Sequence, residues 1–461
     1  MAPRLPHLVL ASALACAGVT SVLAQEPEAD PPVRDLEALV DAAERHYPAL
    51  EARGAAIEAA EARLGEARLS PFFRGWEGTA GLTVVPDATG TPVYSDQDQL
   101  PLNEGWGPAA QVGIRGVVPL YTFGKLRALK RAARAGVRAA TLDQERAEAR
   151  LRFDVRRAYF ALQLSLDLQQ MIGEGLPKLE RAAEKLQEML AEGDPDVNPF
   201  DRFRLETALA EVRARASEIE RLHDGSEAAL QALTGLDAIR VPDCPMEPIA
   251  LEDTTMARFL EASEARPELG MLEAALEARE AALDAERVGF APDFGLGFQA
   301  ALTWAPGRTD QENPFIQDQA NRPQLGAGLV MRWNLDFAGQ VHRRDRARAR
   351  LEETRAQARE ARLGIRLEVR LAVQAYQDAL RREEAWQRGR RQGRAWFVSA
   401  AQAYDLGTLE PKDLIDALKA YFTARFSHLQ AVRDVNTAAA ELERVTGEAL
   451  LPADGWEPPC E

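Results

Sequence analysis

The chain has 461 residues, with 56 Lys and Arg against 72 Asp and Glu, for a formal net charge of −16. That balance excludes a nucleic-acid partner, because a phosphate backbone requires a basic face. Hydrophobic residues make up 46% and aromatic residues only 7%, and the excess of Ala, Glu, Arg and Leu is the composition of long helices.

Arg4 and His7 precede an apolar run over Leu8–Val22, and Val22-Leu23-Ala24 places small residues ahead of Gln25. This is the pattern of a secretory signal peptide over 1–24. A lipoprotein cut ahead of Cys16 is the alternative, which Leu14 and Ala15 fit poorly. No later stretch reaches the roughly 18 apolar residues that a membrane-spanning helix needs.

The rest of the chain repeats itself, a feature that decides fold class when present. Pro48 and Leu50 match Pro267 and Leu269, and Leu120 and Gly124 match Leu335 and Gly339. Val155-Arg156 matches Val369-Arg370, Pro199 and Asp201 match Pro411 and Asp413, and Thr234-Gly235 matches Thr446-Gly447. Two repeats follow, 25–235 and 254–447, joined by a Pro-rich linker over 236–253 and followed by a tail over 448–461. Each is expected to run helix, strand, loop, strand, very long helix, tip, helix.

In the first repeat the helix is expected over 35–69, strands over 74–86 and 108–121, the long helix over 124–192 and the return helix over 201–233. Leu151, Val155, Ala158, Leu162 and Leu166 form one apolar stripe. Ile172, Leu176, Leu179, Ala183, Leu186 and Leu190 continue it at coiled-coil spacing. Pro177, beside Gly173 and Gly175, is expected to kink or interrupt this helix. The long helix meets a breaker at Gly193–Pro199 and folds back. In the second repeat the helix is expected over 254–289, strands over 292–305 and 323–336, the long helix over 339–404 and the return helix over 413–445. Ile365, Val369, Ala372, Tyr376 and Ala379 carry its stripe.

The four strands carry the membrane signal. Phe294, Leu296, Phe298, Leu302 and Trp304 alternate with Gly295, Gly297, Gln299, Ala301 and Thr303. Leu325, Leu329, Met331 and Trp333 alternate with Gly326, Gly328, Arg332 and Asn334; Val112, Ile114 and Val118 with Gly113 and Arg115; and Trp76, Leu82 and Val84 with Glu77 and Thr83. Successive side chains of a strand point to opposite faces, so each segment has one oily and one small or polar side. The lengths suit the ~9–11 residues of a tilted membrane strand, and Trp76, Trp304 and Trp333 fall where aromatic girdles lie. A soluble sheet resting on a core shares the alternation taken strand by strand. Four strands cannot close a barrel, and open edges in lipid leave backbone groups unpaired. A membrane reading therefore requires several copies of the chain.

With "PLYTFGKL" at Pro119–Leu126 and "YDLGTLEPKDLIDA" at Tyr404–Ala417 added to this duplicated plan, the chain resembles the TolC-like family of outer-membrane efflux and secretion channels from about Leu36 to Gly447. The resemblance implies a mainly α fold with a small membrane β-barrel contribution. A homotrimer would form a 12-stranded barrel in outer-membrane lipid, continuous with a periplasmic helical tunnel. It also implies a periplasmic adaptor protein and an inner-membrane pump or ABC exporter as partners. Residue by residue, Asp413 and Asp416 match carboxylates that ring the periplasmic aperture, and Tyr404 and Asp201 match a pair that latches the closed tip. Leu409 departs from the pattern, standing where an Arg supplies a second polar latch. For Asp413, an ordinary acid favoured by a helix start is the competing reading.

An exported chain meets an oxidising compartment, so Cys244 and Cys460, which follow corresponding helices, are candidates for a disulfide. His46, His223, His342 and His428 are scattered without ligand spacing, and HExxH, G-x-S-x-G and P-loop patterns do not occur. Neither an enzyme, a metal site nor a cofactor is expected. A periplasmic coiled-coil adaptor or spacer remains the alternative function; it needs the signal peptide and hairpins but not the strands.

Overall fold

The structure is a computed structural model and describes residues 32–73, 75–86, 105–192, 198–307, 321–406 and 408–450. The signal-peptide segment, Cys16, most of the Gly193–Pro199 tip and Cys460 lie outside the described residues.

The element order is α1 (Leu36–His46), α2 (Pro48–Phe73), β1 (Glu77–Pro86), β2 (Trp106–Tyr121), α3 (Lys125–Ala191) and α4 (Pro199–Thr234). The second repeat follows with α5 (Met256–Ala262), α6 (Pro267–Arg287), β3 (Asp293–Trp304), β4 (Pro323–Arg332), α7 (Phe337–Asp405) and α8 (Pro411–Thr446). The strands form one antiparallel sheet in the order β1-β2-β3-β4. The long helices α3 and α7 have 67 and 69 residues, about 100 Å each at ~1.5 Å per residue.

Local chemistry explains most boundaries. Pro199 and Pro411 open α4 and α8, where a missing N–H costs nothing. Gly235 and Gly447 close them in left-handed conformation, φ 69° and 72°. The preceding threonines act alike: Thr234 and Thr446 each donate from Oγ1 to a carbonyl four residues back at 2.7 Å. The two strand-to-helix corners differ. After β2, Phe123 (φ 51°) and Gly124 (φ 98°) turn the chain, and Gly124 caps α3 without a side-chain bond. The left-handed Phe123 is costly for a residue with a Cβ, and its ring packs on Tyr121 and Phe294. After β4 the turn needs no positive φ, and Asp336 caps α7 by accepting from the Gly339 N–H at 2.9 Å.

Five expectations are corrected. The helix expected over 35–69 breaks at Tyr47, and the one over 254–289 breaks before Pro267, because the residue ahead of a proline is driven to extended backbone. The strand expected to 336 ends at Arg332, which pairs with Asp293, the first residue of β3. Beyond it Trp333 turns its indole N–H onto the Phe290 carbonyl at 3.0 Å. Likewise β1 begins at Glu77, later than expected, and Trp76 ahead of it donates to the Phe72 carbonyl at 3.0 Å. Pro177 does not interrupt α3. Gly175 and Leu179 are buried on either side of it, so packing holds the helix through the missing bond.

The main core lies midway along the long helices, where α1, α3, α4, α7, α8 and the linker meet. Tyr159, Phe160, Val369, Val373 and Leu442 are fully buried there. Towards the tip the core shrinks to Leu179, Leu186, Leu205 and Leu209.

Candidate functional site: the two-faced sheet and the hairpin tip

Register places like with like across all four strands. Ile114 lies opposite Gly78 and Ala300, and Ala300 opposite Leu325. Val112 lies opposite Ala80 and Leu302, and Leu296 opposite Val118 and Leu329. Among the described residues this oily face has no cover: Leu82 is 89% exposed and Leu325 91%. Trp76 lies flat along it, stacked on Phe298 at 6.2 Å and over Gly116, where a Cβ would sit 2.2 Å from the indole. The next row belongs to the opposite face, where Arg115 lies opposite both Glu77 and Gln299, and Gln299 opposite Gly326. Arg115 pairs with Glu77 at 2.6 Å. Gly113, Gly295, Gly297 and Gly328 keep this face small. The outer edges of β1 and β4 have no strand partner among the described residues.

At the other end, Asn198 caps α4 by accepting from the Phe200 N–H at 3.0 Å. Asp201 lies in the first turn of α4, 6% exposed, and accepts from Arg204 at 3.4 Å. Tyr404 is half-buried in the last turn of α7. Among the described residues no hydrogen bond joins Tyr404 to Asp201 within one chain. Asp413 occupies the first turn of α8 and Asp416 follows one turn later, so the two carboxylates share a helix face. Leu409 is half-buried. Phe200, Phe203 and Leu406 are exposed around the same tip. Cys244 is disulfide-bonded; Cys460 lies outside the described residues.

Several long-range contacts have no local sequence signal. The linker is held by two helix side chains. Tyr376 donates to the Ile249 carbonyl and accepts from the Leu251 N–H, both at 2.9 Å. Asn436 accepts from the Ile249 N–H at 2.8 Å and donates to the Glu247 carbonyl at 2.9 Å. Asp167 on α3 accepts from the Met246 N–H at 3.3 Å, and burial pushes its carboxyl up to about 6. His428 on α8 meets Glu383 on α7 at 3.1 Å in the packed interior, and burial, reinforced by Arg390, holds the imidazole below its ordinary range. Among the described residues no group of His, Cys, Asp and Glu could hold a metal ion, and no helix is long and apolar enough to cross a membrane.

Residues 260–448 match the family model described as outer membrane efflux protein. Among solved structures, the chain is similar to a membrane protein from Pseudomonas aeruginosa at 19% identity and TM-score 0.72, covering 92% of this chain and 98% of that one. The outer-membrane channel OprN matches at 19% identity and TM-score 0.73, covering 90% and 91%. The outer membrane protein VceC of Vibrio cholerae matches at 18% identity and TM-score 0.71, covering 90% and 97%. None of the curated proteins matches the chain by sequence. At these identities the structural likeness concerns the fold.

Proposed function

We propose that this chain, whose residues 260–448 match the outer membrane efflux protein model, is a passive outer-membrane exit duct serving a tripartite efflux or type I secretion system. The single observation that carries this reading is the oily face of a four-stranded sheet that, among the described residues, is uncovered and has two open edges. In lipid such edges must be paired, since each unsatisfied backbone group costs several kcal/mol. Three copies joined edge to edge through β1 and β4 make a 12-stranded barrel, near the size range of small membrane barrels. The polar face of Glu77, Arg115 and Gln299 then lines its interior.

The long helices leave the barrel and carry the conduit into the periplasm. Asp413 and Asp416 of three copies put six carboxylates at its far mouth, a ring that favours cations. Tyr404 and Asp201 would hydrogen-bond between neighbouring hairpins rather than within one. The exposed Phe200, Phe203 and Leu406 at the tip suit a protein partner, the adaptor that joins the duct to an inner-membrane pump or ABC exporter. A spacer protein has no use for the two-faced sheet. The duct performs no chemistry on its cargo.

Conductance in planar bilayers tests the mouth. Asp413→Asn with Asp416→Asn is expected to lower cation selectivity and abolish block by millimolar multivalent cations. Unchanged selectivity and block would remove the two residues from the aperture.

A further inference from the structure

The opening turns of both long helices are rich in cations: α3 starts with them, and α7, capped by Asp336, carries them from Arg343 on. From Lys125 to Arg138, α3 carries six Lys or Arg and no carboxylate; from Phe337 to Arg350, α7 carries five Arg and the single Asp345. The positive end of the helix dipole penalises such charges in the first turn. Most of the other helices obey the rule, with Glu37, Glu51, Asp201, Glu268 and Asp413 in their first turns, while α3 and α7 have none. Helix stability therefore does not explain the cations that open α3, and the chain as a whole, at −16, runs against the basic pattern shared by both helices.

Some of these cations serve packing. Arg131 pairs with Asp284, Arg138 with Glu277, and Arg343 with Asp336. Arg127, Arg134, Arg346, Arg348 and Arg350 are exposed, and among the described residues they form no ion pair. They lie just beyond the sheet, past the exposed aromatic rings Tyr121, Phe123, Trp333 and Phe337. An aromatic girdle marks the membrane interface. The charges start within a turn or two of it, and fourteen residues of helix span roughly 20 Å.

We infer that the first four turns of α3 and α7 form a basic collar that binds the anionic phospholipid headgroups of the periplasmic leaflet. The inference rests on the outer-membrane reading above and adds to it a lipid class and the residues that select it. Clustered Lys and Arg beside a membrane surface attract anionic lipid, and the attraction is screened by salt. The collar is built twice, once per repeat, and three copies would close it around the barrel. It fixes how deep the sheet sits.

The test is native mass spectrometry of the full-length detergent-solubilised protein titrated with phosphatidylglycerol or phosphatidylethanolamine. The wild type is expected to retain phosphatidylglycerol about tenfold better at low salt. That preference is expected to fall towards equality when the protein is equilibrated with each lipid at about 1 M salt before exchange into the spraying buffer. Changing Arg127, Arg134, Arg346, Arg348 and Arg350 together to Gln is expected to abolish the preference while the oligomer and its conductance persist. Should that variant fail to fold, Arg127→Gln with Arg134→Gln alone is expected to lose part of it. Equal retention of both lipids by the wild type overturns the collar. So does a variant that keeps the preference but changes ion selectivity, since its cations then line the tunnel. A protein that needs no detergent fails the outer-membrane reading itself, a result separate from any lipid preference.

Discussion

The middle of the molecule and its hairpin tip are made from the same four helices, yet they are held in different ways. In the middle, Tyr159, Phe160, Val369 and Val373 are fully buried, and the inter-repeat linker is threaded across them on four hydrogen bonds from Tyr376 and Asn436. At the tip the buried set is four leucines, while Phe200, Phe203 and Leu406 stand exposed. Segments with little buried apolar area open at low free-energy cost, and moving parts are drawn from them. The contrast assigns rigidity to the middle and motion to the tip.

The largest expected effect breaks the rigid half. Phe160→Ala removes a fully buried ring from the centre of the core and is expected to cost about 3–5 kcal/mol. Thermal unfolding of the detergent-solubilised oligomer reads it directly; a loss below ~1 kcal/mol would mean that the middle is as loose as the tip. A second change targets the tip. Asp201→Ala with Tyr404→Phe would remove the proposed charge-assisted hydrogen bond between hairpins, worth roughly 1.5–3 kcal/mol to the closed state. Single-channel conductance or dye leakage is expected to rise several-fold with little change in melting temperature. Unchanged conductance argues against the latch.

The smallest effect sharpens the comparison through pH. Burial raises the Asp167 carboxyl from 3.8 to about 6. A raised folded-state value means that the group's contribution to stability is present in full below its unfolded value and is lost as pH climbs through about 6. Asp167→Asn has no such loss and keeps an oxygen to accept from Met246. The melting temperature of the variant relative to wild type is therefore expected to increase from pH 4.5 to pH 7.5. A difference that stays flat with pH would place Asp167 in water.

Much of this fold was legible because its two-faced strands differ in chemistry from row to row. Leu296 and Leu302 against Gly295, Gly297 and Gln299 leave little choice of face. The Thr-Gly ends of α4 and α8 were visible as repeat markers, and each is a glycine-closed terminus in the structure. The proline at 48, read as a marker, is also a helix start, and that role hid the break at Tyr47. The anchors of the linker were not legible. Asn436 is one of many polar residues along α8, and its partners lie almost 190 residues earlier in sequence. Tyr376 was readable as part of a stripe, but nothing local says where its hydroxyl goes. The proposed gate is the least accessible, since one chain holds Asp201 against Arg204 and offers Tyr404 no partner among the described residues.

The central claim is that one chain cannot seal its own sheet. Mass measurement of the protein extracted from outer membranes in mild detergent tests this most directly. Three chains per particle, aggregating when detergent is removed and conducting ions when placed in a bilayer, is the expected result. A single chain that stays dispersed in plain buffer would contradict it.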